Sequence, residues 1–226
     1  MTSEASKDDL DALPGPPPAD AAQPDSAEAV PPADDGLQGV SGQRLIRATD
    51  ITGLPVVTLG GDRDVEVKDV VFDKQAGSIT GFTLRKPGLL GGPQKRVLPV
   101  GGVHAVGRDA VVIRSHADFV SPEALEASGD DVIGDRVITD DGTDLGKVVD
   151  VIASFASGAA DIVGFEIEAS AALATEQQHV FLPLPDAGAI SGEAIVVPAS
   201  ARDYVTNDFT GFGGSVAAFR DQLERS

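Results

Sequence analysis

The sequence contains no cysteine and no tryptophan, and it has a single tyrosine. The lack of cysteine excludes disulfide bonds, thiolate nucleophiles and zinc-thiolate sites. Aromatic residues make up 4% of the 226 residues, whereas the chain has 26 glycines and 15 prolines. A chain rich in turn formers and poor in large aromatic side chains favours short strands over a helical bundle.

Long apolar runs are also missing. No run approaches the roughly 20 residues that a membrane-spanning helix needs. The N-terminus, MTSEASKDDLDAL, is polar and unlike a secretory signal. We therefore expect a cytoplasmic protein, with peripheral association at the cytoplasmic face of a membrane as the alternative.

Positive charge is scarce and unevenly placed. The chain has 17 basic and 36 acidic residues, a formal net charge of -19. Residues 1–40 hold one base against nine acids (net -8), residues 41–120 hold eleven against eight (net +3), and residues 121–226 hold five against nineteen (net -14). Such an acidic chain is repelled by nucleic-acid phosphates, so no direct DNA binding is expected.

Residues 1–40 combine proline, alanine and acids with few large apolar side chains. Such a segment cannot bury enough surface to offset the entropy lost on ordering, so it is predicted to be a disordered tail. It serves either as a solubilising leader or as a docking segment that orders on a partner.

The rest of the chain is an internal repeat. The stretch LPVGGVHAVGRDAVVI at 98–113 returns as LPLPDAGAISGEAIVV at 182–197. Three further pairs of segments match in the same order: 50–72 with 131–153, 79–85 with 162–168, and 118–120 with 203–205. Two copies indicate a duplicated domain, since a solenoid needs three or more units.

Each copy reads as an all-β unit. Its segments are rich in β-branched residues and end at Gly, Asp or Pro, and five or six short strands in about 70 residues suggest a small, closed or nearly closed barrel. The predicted layout is a tail (1–40), barrel 1 (41–120), a linker (121–130), barrel 2 (131–205) and a C-terminal extension (206–226). In the linker, Ser121 is the expected N-cap of a short helix and Pro122 its first residue.

Each barrel is expected to have its own core. The predicted core residues of the first copy are Val56, Val70, Phe82, Leu98 and Val112, and those of the second are Val137, Val151, Phe165, Leu182 and Val196. In the extension, Val216, Phe219 and Leu223 lie at helical spacing after Ser215, the expected N-cap. This helix either packs on barrel 2 or binds a partner.

The succession of motifs resembles the PRC-barrel domain, the small barrel of the reaction-centre H subunit and of the ribosome maturation factor. The most specific features are Leu98-Pro99 with Leu182-Pro183, and Asp69-Val70 with Asp150-Val151. Two departures occur in turns, Val65 in place of the glycine seen at Gly146, and Ser154 in place of the aspartate seen at Asp73. The resemblance implies a docking or assembly role and no catalytic residues.

Candidate chemical sites are weak. His104, His116 and His179 lack the close spacing of metal ligands, and the Ser-His-Asp run at 115–118 does not converge as a catalytic triad does. The run DDGTD at 140–144 fits a hairpin turn better than a calcium loop. The glycine-rich run at 88–96 lacks the ending of a phosphate-binding loop. We therefore predict no catalytic, metal or cofactor site and no enzymatic activity.

The strongest interaction signal is a basic loop in the first copy. Its predicted partner-binding residues are Arg85, Lys86, Leu89, Leu90, Lys95 and Arg96. In the second copy Glu166 and Glu168 replace Thr83 and Arg85, so the same surface has the opposite charge. This reversal reflects either drift on a solvated face or complementary surfaces that select partners or drive self-association.

The predicted function is therefore that of a non-enzymatic adaptor or accessory subunit that docks protein partners and assists the assembly of a larger complex. One alternative is a ribosome or RNA-processing assembly factor. Another is a peripheral subunit of a membrane electron-transfer or photosynthetic complex. The basic loop is expected to bind an anionic partner, either external, the acidic tail, or the Glu166-Glu168 face of a second copy.

Overall fold

Segments rich in valine and isoleucine, separated by glycine and aspartate turns, form the strands of this protein. The computed structural model describes residues 44–74, 76–88, 92–125, 132–156, 158–185, 190–191 and 194–225. In these residues thirteen strands belong to one curled sheet. The predicted tail at 1–40 and the second half of the predicted linker, 126–130, lie outside the described residues.

The first repeat follows a short N-terminal arm (residues 44–51), which consists of strand β1 (Arg44–Arg47) and helix α1 (Ala48–Ile51). The strands of the first repeat are β2 (Pro55–Thr58), β3 (Arg63–Asp73), β4 (Ser78–Arg85), β5 (Pro93–Pro99), β6 (Val103–Val106) and β7 (Val111–Ile113). Those of the second are β8 (Arg136–Thr139), β9 (Asp144–Ala156), β10 (Ala159–Ala169), β11 (His179–Pro183), β12 (Ile190–Ser191) and β13 (Ala194–Val197). Helix α2 (Phe212–Glu224) ends the described chain.

The two repeats have the same strand pairing. In the first, β3 pairs with β2 and β4, β5 with β4, and β7 in parallel with β2. In the second, β9, β10, β11 and β13 form the corresponding pairs, and β13 runs parallel to β8. The all-β tandem fold is thereby confirmed.

The repeats join through β4 and β10. Asp161 pairs with Ser78 across this junction, and the Ile162 amide donates to the Gly77 carbonyl at 2.9 Å. The rings of Phe82 and Phe155, one from each repeat, stack with centroids 6.4 Å apart. Buried apolar residues of both repeats form one continuous cluster. The two predicted cores are therefore parts of a shared core.

Two predicted core residues are wrong. Val196 is 42% exposed and Val112 is only half-buried, whereas their neighbours Ile195 and Ile113 are fully buried. Successive strand residues point to opposite faces, so a phase error of one residue exchanges the inner and outer sets. The other eight predicted core residues are buried.

The C-terminal helix begins earlier than predicted. Ser215 lies inside α2, which starts at Phe212. The carboxylate of Asp208 accepts hydrogen bonds from the amides of Thr210 and Gly211, at 2.9 and 3.1 Å, so the chain already turns before the predicted cap. The predicted apolar face is confirmed, since Val216 and Phe219 are buried and Leu223 packs on the core.

The first linker residues form a single 3-10 turn, Pro122–Ala124, with Pro122 at its first position as predicted. The Ser121 side chain does not cap the turn. Of the helices in the described residues, none has both the length and the apolar composition to cross a membrane.

Candidate interaction site

The predicted basic loop connects β4 and β5, and these strands pair as the prediction required. Phe82 lies opposite Leu98 and Thr83 opposite Val97, and the Lys86 amide donates to the Gly92 carbonyl at 3.1 Å. The pairing brings the two ends of the loop together. Leu89 and Leu90, the predicted apolar tip, lie outside the described residues.

Two of the four predicted cations already have partners. The Arg85 Nη2 atom lies 3.3 Å from the Glu66 Oε2 atom. The Arg96 guanidinium donates to the Phe119 carbonyl and lies 5.6 Å from the centre of the Phe119 ring. Both arginines therefore hold the first repeat together.

Lys86 and Lys95 differ from these arginines. Both side chains are exposed, and neither forms an ion pair with the described residues. The available positive charge at this end of the repeat is thus two lysines, which are referred to below as the lysine pair.

The opposite charge of the second repeat has a local cause. Glu66 lies directly opposite Arg85 on β3 and β4, and Lys147 lies directly opposite Glu168 on β9 and β10. Both members of the cross-strand pair change sign between repeats, so each repeat keeps an acid facing a base. Pairing within each repeat accounts for Glu168 in place of Arg85 without a second molecule.

Glu166 is not a free outward-facing acid. Its side chain is 15% exposed, and its Oε2 atom lies 2.7 Å from Arg47 Nε while its Oε1 atom lies 3.3 Å from His179 Nδ1. Arg47 also stacks over two rings, 5.0 Å from the centroid of Phe181 and 4.2 Å from that of Phe209. Glu166 thus binds the N-terminal arm to the second repeat.

The arm crosses from the first repeat to the second. Strand β1 pairs with the end of β9, where Leu45 lies opposite Ser154 and Arg47 opposite Ile152. Cation-π contacts and ion pairs between partly buried side chains are stronger than the same contacts in water, and the side chains of Arg47 and Glu166 are only 28% and 15% exposed. The arm therefore fastens two repeats that are also joined by the strand junction and by the shared core.

Asp150 is the second attachment point of the arm. The residue is 3% exposed, and its carboxylate accepts hydrogen bonds from the Thr49 hydroxyl, the Thr49 amide at 3.3 Å and the Val151 amide at 2.8 Å. Burial raises the pKa of Asp150 above its ordinary value, and the hydrogen bonds from Thr49 and Val151 oppose this rise. The equivalent Asp69 of the first repeat is exposed and, among the described residues, accepts only from the Val70 amide, at 3.1 Å.

Sequence reasoning missed this attachment. Asp69-Val70 and Asp150-Val151 are equivalent in the repeat, and nothing local in them distinguishes a covered aspartate from an open one. A signal was present in RLIR at 44–47, which is a short apolar segment between two arginines ahead of the first repeat. Its partner strand lies more than 100 residues away, so periodicity alone does not identify it.

The other candidate residues have structural roles. In the Ser-His-Asp run, Ser115 and Asp118 form a capping box around the turn His116–Asp118. His116 lies 3.3 Å from Asp64 and stacks on Phe119, while His104 is exposed on β6. The DDGTD run turns between β8 and β9, as predicted, with hydrogen bonds from Thr139 and Thr143 that lower the pKa of Asp141. Across the described ranges, no three His, Asp or Glu side chains converge as metal ligands.

The glycine that the second repeat has in place of Val65 is required by its backbone. Gly146 has a φ of 142°, and a side-chain carbon there would lie 2.0 Å from the Glu168 carbonyl oxygen. The first repeat has Val65 at this position, and both repeats show the same register shift next to it. The two copies thus share this strand irregularity, although only the second has a glycine there.

The strand order, the duplicated pairing and the motif positions define a tandem of two small PRC-type barrels. A comparison with family models agrees, since the PRC-barrel domain matches residues 44–120 and 126–203, more than half of the chain. The chain belongs to the PRC-barrel family. A search of curated proteins found no match to this chain.

Proposed function

We propose that this protein is a non-enzymatic adaptor that docks an acidic protein partner through the lysine pair, Lys86 and Lys95. The proposal rests mainly on one observation. These two lysines are exposed and unpaired among the described residues of a chain whose net charge is -19. Cations that stabilise nothing in their own repeat are available to steer and orient an anionic partner.

The architecture supports this role. The N-terminal arm, the β4–β10 junction and the shared core join both repeats, so a partner that binds one repeat is held at a fixed orientation to the other. A fixed orientation serves an adaptor, because assembly requires defined geometry between docked subunits. Arg85 and Arg96 are not part of the proposed site, since reversing them would break contacts inside the repeat.

The test is crosslinking in cells with a photoreactive amino acid at position 87 of the full chain, where the exposed Pro87 lies next to Lys86. A matched control carries it at Arg114, an exposed position outside the loop. The proposal predicts a crosslinked protein at position 87 that is absent at position 114 and is lost in the Lys86→Glu/Lys95→Glu variant. A control variant, Arg114→Glu/Arg225→Glu, reverses the same amount of charge elsewhere and is expected to keep the crosslink.

The identity of the crosslinked protein separates the alternatives. A ribosomal protein would favour the ribosome-assembly role, and a respiratory or photosynthetic subunit would favour the membrane-complex role. A crosslink that survives reversal of the lysine pair would contradict the proposed site. Melting temperatures of both variants, followed by circular dichroism, are expected to stay close to that of the wild type.

A further inference from the structure

A cleft of about 300 Å³ opens beside the N-terminal arm, away from the lysine pair. Three segments distant in sequence line it: the arm at 44–46 with Asp50, the β6–β7 turn at Gly107 and Arg108, and Phe209 ahead of α2. Its volume is at the lower end of the roughly 300 to 1,000 Å³ of small-molecule sites. The cleft therefore has room for a small organic ligand.

Arg44 is the unusual residue of this cleft. Its side chain is half-buried, its Nε atom is shielded from solvent, and no hydrogen bond or ion pair joins it to the described residues. By contrast Arg47, three residues later in the same strand, binds Glu166 and stacks on Phe181 and Phe209. A partly buried guanidinium without an acceptor is costly, and an anion within reach would lower that cost.

Two other charged residues line the cleft. Arg108 lies on a turn held by a hydrogen bond from the Gly107 amide to the Ala110 carbonyl, at 2.8 Å, and has an interaction of its own within the protein. Asp50 is the acidic residue of the lining. Arg44 is therefore the cation to which an anion in the cleft would bind.

The remaining surface is apolar. Leu45 and Ile46 are buried, 2% and 7% exposed, and Phe209 is half-buried with one side of its ring against Arg47 and Phe181. If the ligand has an apolar group beside its anion, contact of that group with these side chains removes apolar surface from water, which favours binding. A planar carboxylate matches the fork geometry of an arginine.

From this arrangement we infer that the cleft binds a small organic carboxylate, with the carboxylate on Arg44 and the apolar part against Phe209. The site is independent of the lysine pair, so it is a function additional to partner docking. Because its walls come from the arm, the first repeat and the C-terminal extension, a ligand there also strengthens the contact between the two repeats. Ligand binding is therefore expected to raise the melting temperature by mass action.

The test uses the full-length, ¹⁵N-labelled protein and benzoate as the probe, with benzyl alcohol as a neutral probe of similar shape. Saturable shifts of the amides of 44–46, 107–108 and 209 are expected with benzoate and not with benzyl alcohol. Arg44→Gln is expected to raise the dissociation constant about tenfold or more, the loss typical of one charge-assisted hydrogen bond. The control Arg114→Gln, at an exposed arginine outside the cleft, is expected to leave it unchanged.

A second variant guards against misfolding of the first. If Arg44→Gln alters the spectrum throughout the chain, Arg44→Lys, which keeps the charge and loses the planar fork of the guanidinium, takes its place with the same expected direction. Equal affinity of the wild type and a folded arginine variant would overturn the inference, as would the absence of saturable shifts at the cleft. Tighter binding of phenyl phosphate than of benzoate would overturn the assignment to a carboxylate.

Discussion

Removing the Asp150 carboxylate is expected to release the N-terminal arm from the second repeat. In Asp150→Ala the Thr49 and Val151 amides and the Thr49 hydroxyl lose their acceptor. The Val151 amide lies at a buried position, and leaving a buried donor unpaired costs about 1 to 3 kcal/mol. The Thr49 groups are nearer the surface and recover part of their loss through water.

The free energy of unfolding is therefore expected to fall by about 2 to 4 kcal/mol. The repeat supplies a matched control, since Asp69→Ala removes the equivalent carboxylate of the first repeat. Asp69 is exposed and accepts a single hydrogen bond from the part of the chain that the structure describes, and water replaces it, so the expected loss is below about 1 kcal/mol. Urea denaturation followed by far-ultraviolet circular dichroism measures both, because a chain without tryptophan gives a weak fluorescence signal.

The same residue makes a prediction about pH. Burial raises the pKa of Asp150 in the folded protein above its value in the unfolded chain. As pH falls, the folded protein therefore takes up a proton before the unfolded chain does, and this proton uptake stabilises the fold. Wild-type stability relative to Asp150→Ala is therefore expected to increase as pH falls from neutral through the raised folded-state pKa toward the unfolded-state pKa. A double-mutant cycle with Thr49→Val is expected to be non-additive, because Thr49 and Asp150 share a hydrogen bond.

Equal destabilisation by Asp150→Ala and Asp69→Ala would refute the reasoning, because it would mean that coverage by the arm adds nothing. An additive cycle between Thr49 and Asp150 would refute the assigned contact. If the stability difference between the wild type and Asp150→Ala shrinks as pH falls, burial is not the dominant influence on the pKa of Asp150.

Three further predictions concern the core and its close contacts. Phe165→Ala is expected to cost about 3 to 5 kcal/mol in denaturant unfolding, since its ring is fully buried, and a loss below about 1 kcal/mol would contradict its placement. Gly164→Ala is expected to lower the melting temperature, because the added carbon would lie 2.4 Å from the Phe212 ring, whereas Gly101→Ala meets nothing within 4 Å and serves as its control. Ile195→Thr is expected to lower the free energy of unfolding far more than Val196→Thr, because Ile195 is buried and Val196 is 42% exposed. The reverse order would mean that Val196, and not Ile195, faces the core.

Much of the fold was readable from the sequence because its signals are local or repeated. The duplicated strands, the turns at DDGTD and the apolar face of α2 follow from β-branched runs, turn residues and helical spacing, and the structure confirms them. The phase of β7 and β13 was not readable, because VVI and AIVV are apolar at successive positions. In such a run the inner face is chosen by the neighbouring strands and not by alternation.

The candidate site was readable only in part. The basic residues were found from their charge, but charge does not reveal which cations are already used. Arg85 and Arg96 bind Glu66 and Phe119, while Lys86 and Lys95 do not. Aligning the two copies showed that Glu168 replaces Arg85. Only the strand register showed that the residue opposite also changes sign, from Glu66 in the first repeat to Lys147 in the second.

The sequence by itself determined that the chain folds as two copies of one small β domain, since strand propensity and turn chemistry act over a few residues and recur in both copies. The tertiary structure decided how the copies are joined. The N-terminal arm passes over the second repeat, buries Asp150 and not Asp69, and places Arg44 beside Arg108 and Phe209. These contacts link residues about 60 to more than 160 positions apart, and they depend on the packing of the whole sheet, which no local pattern encodes.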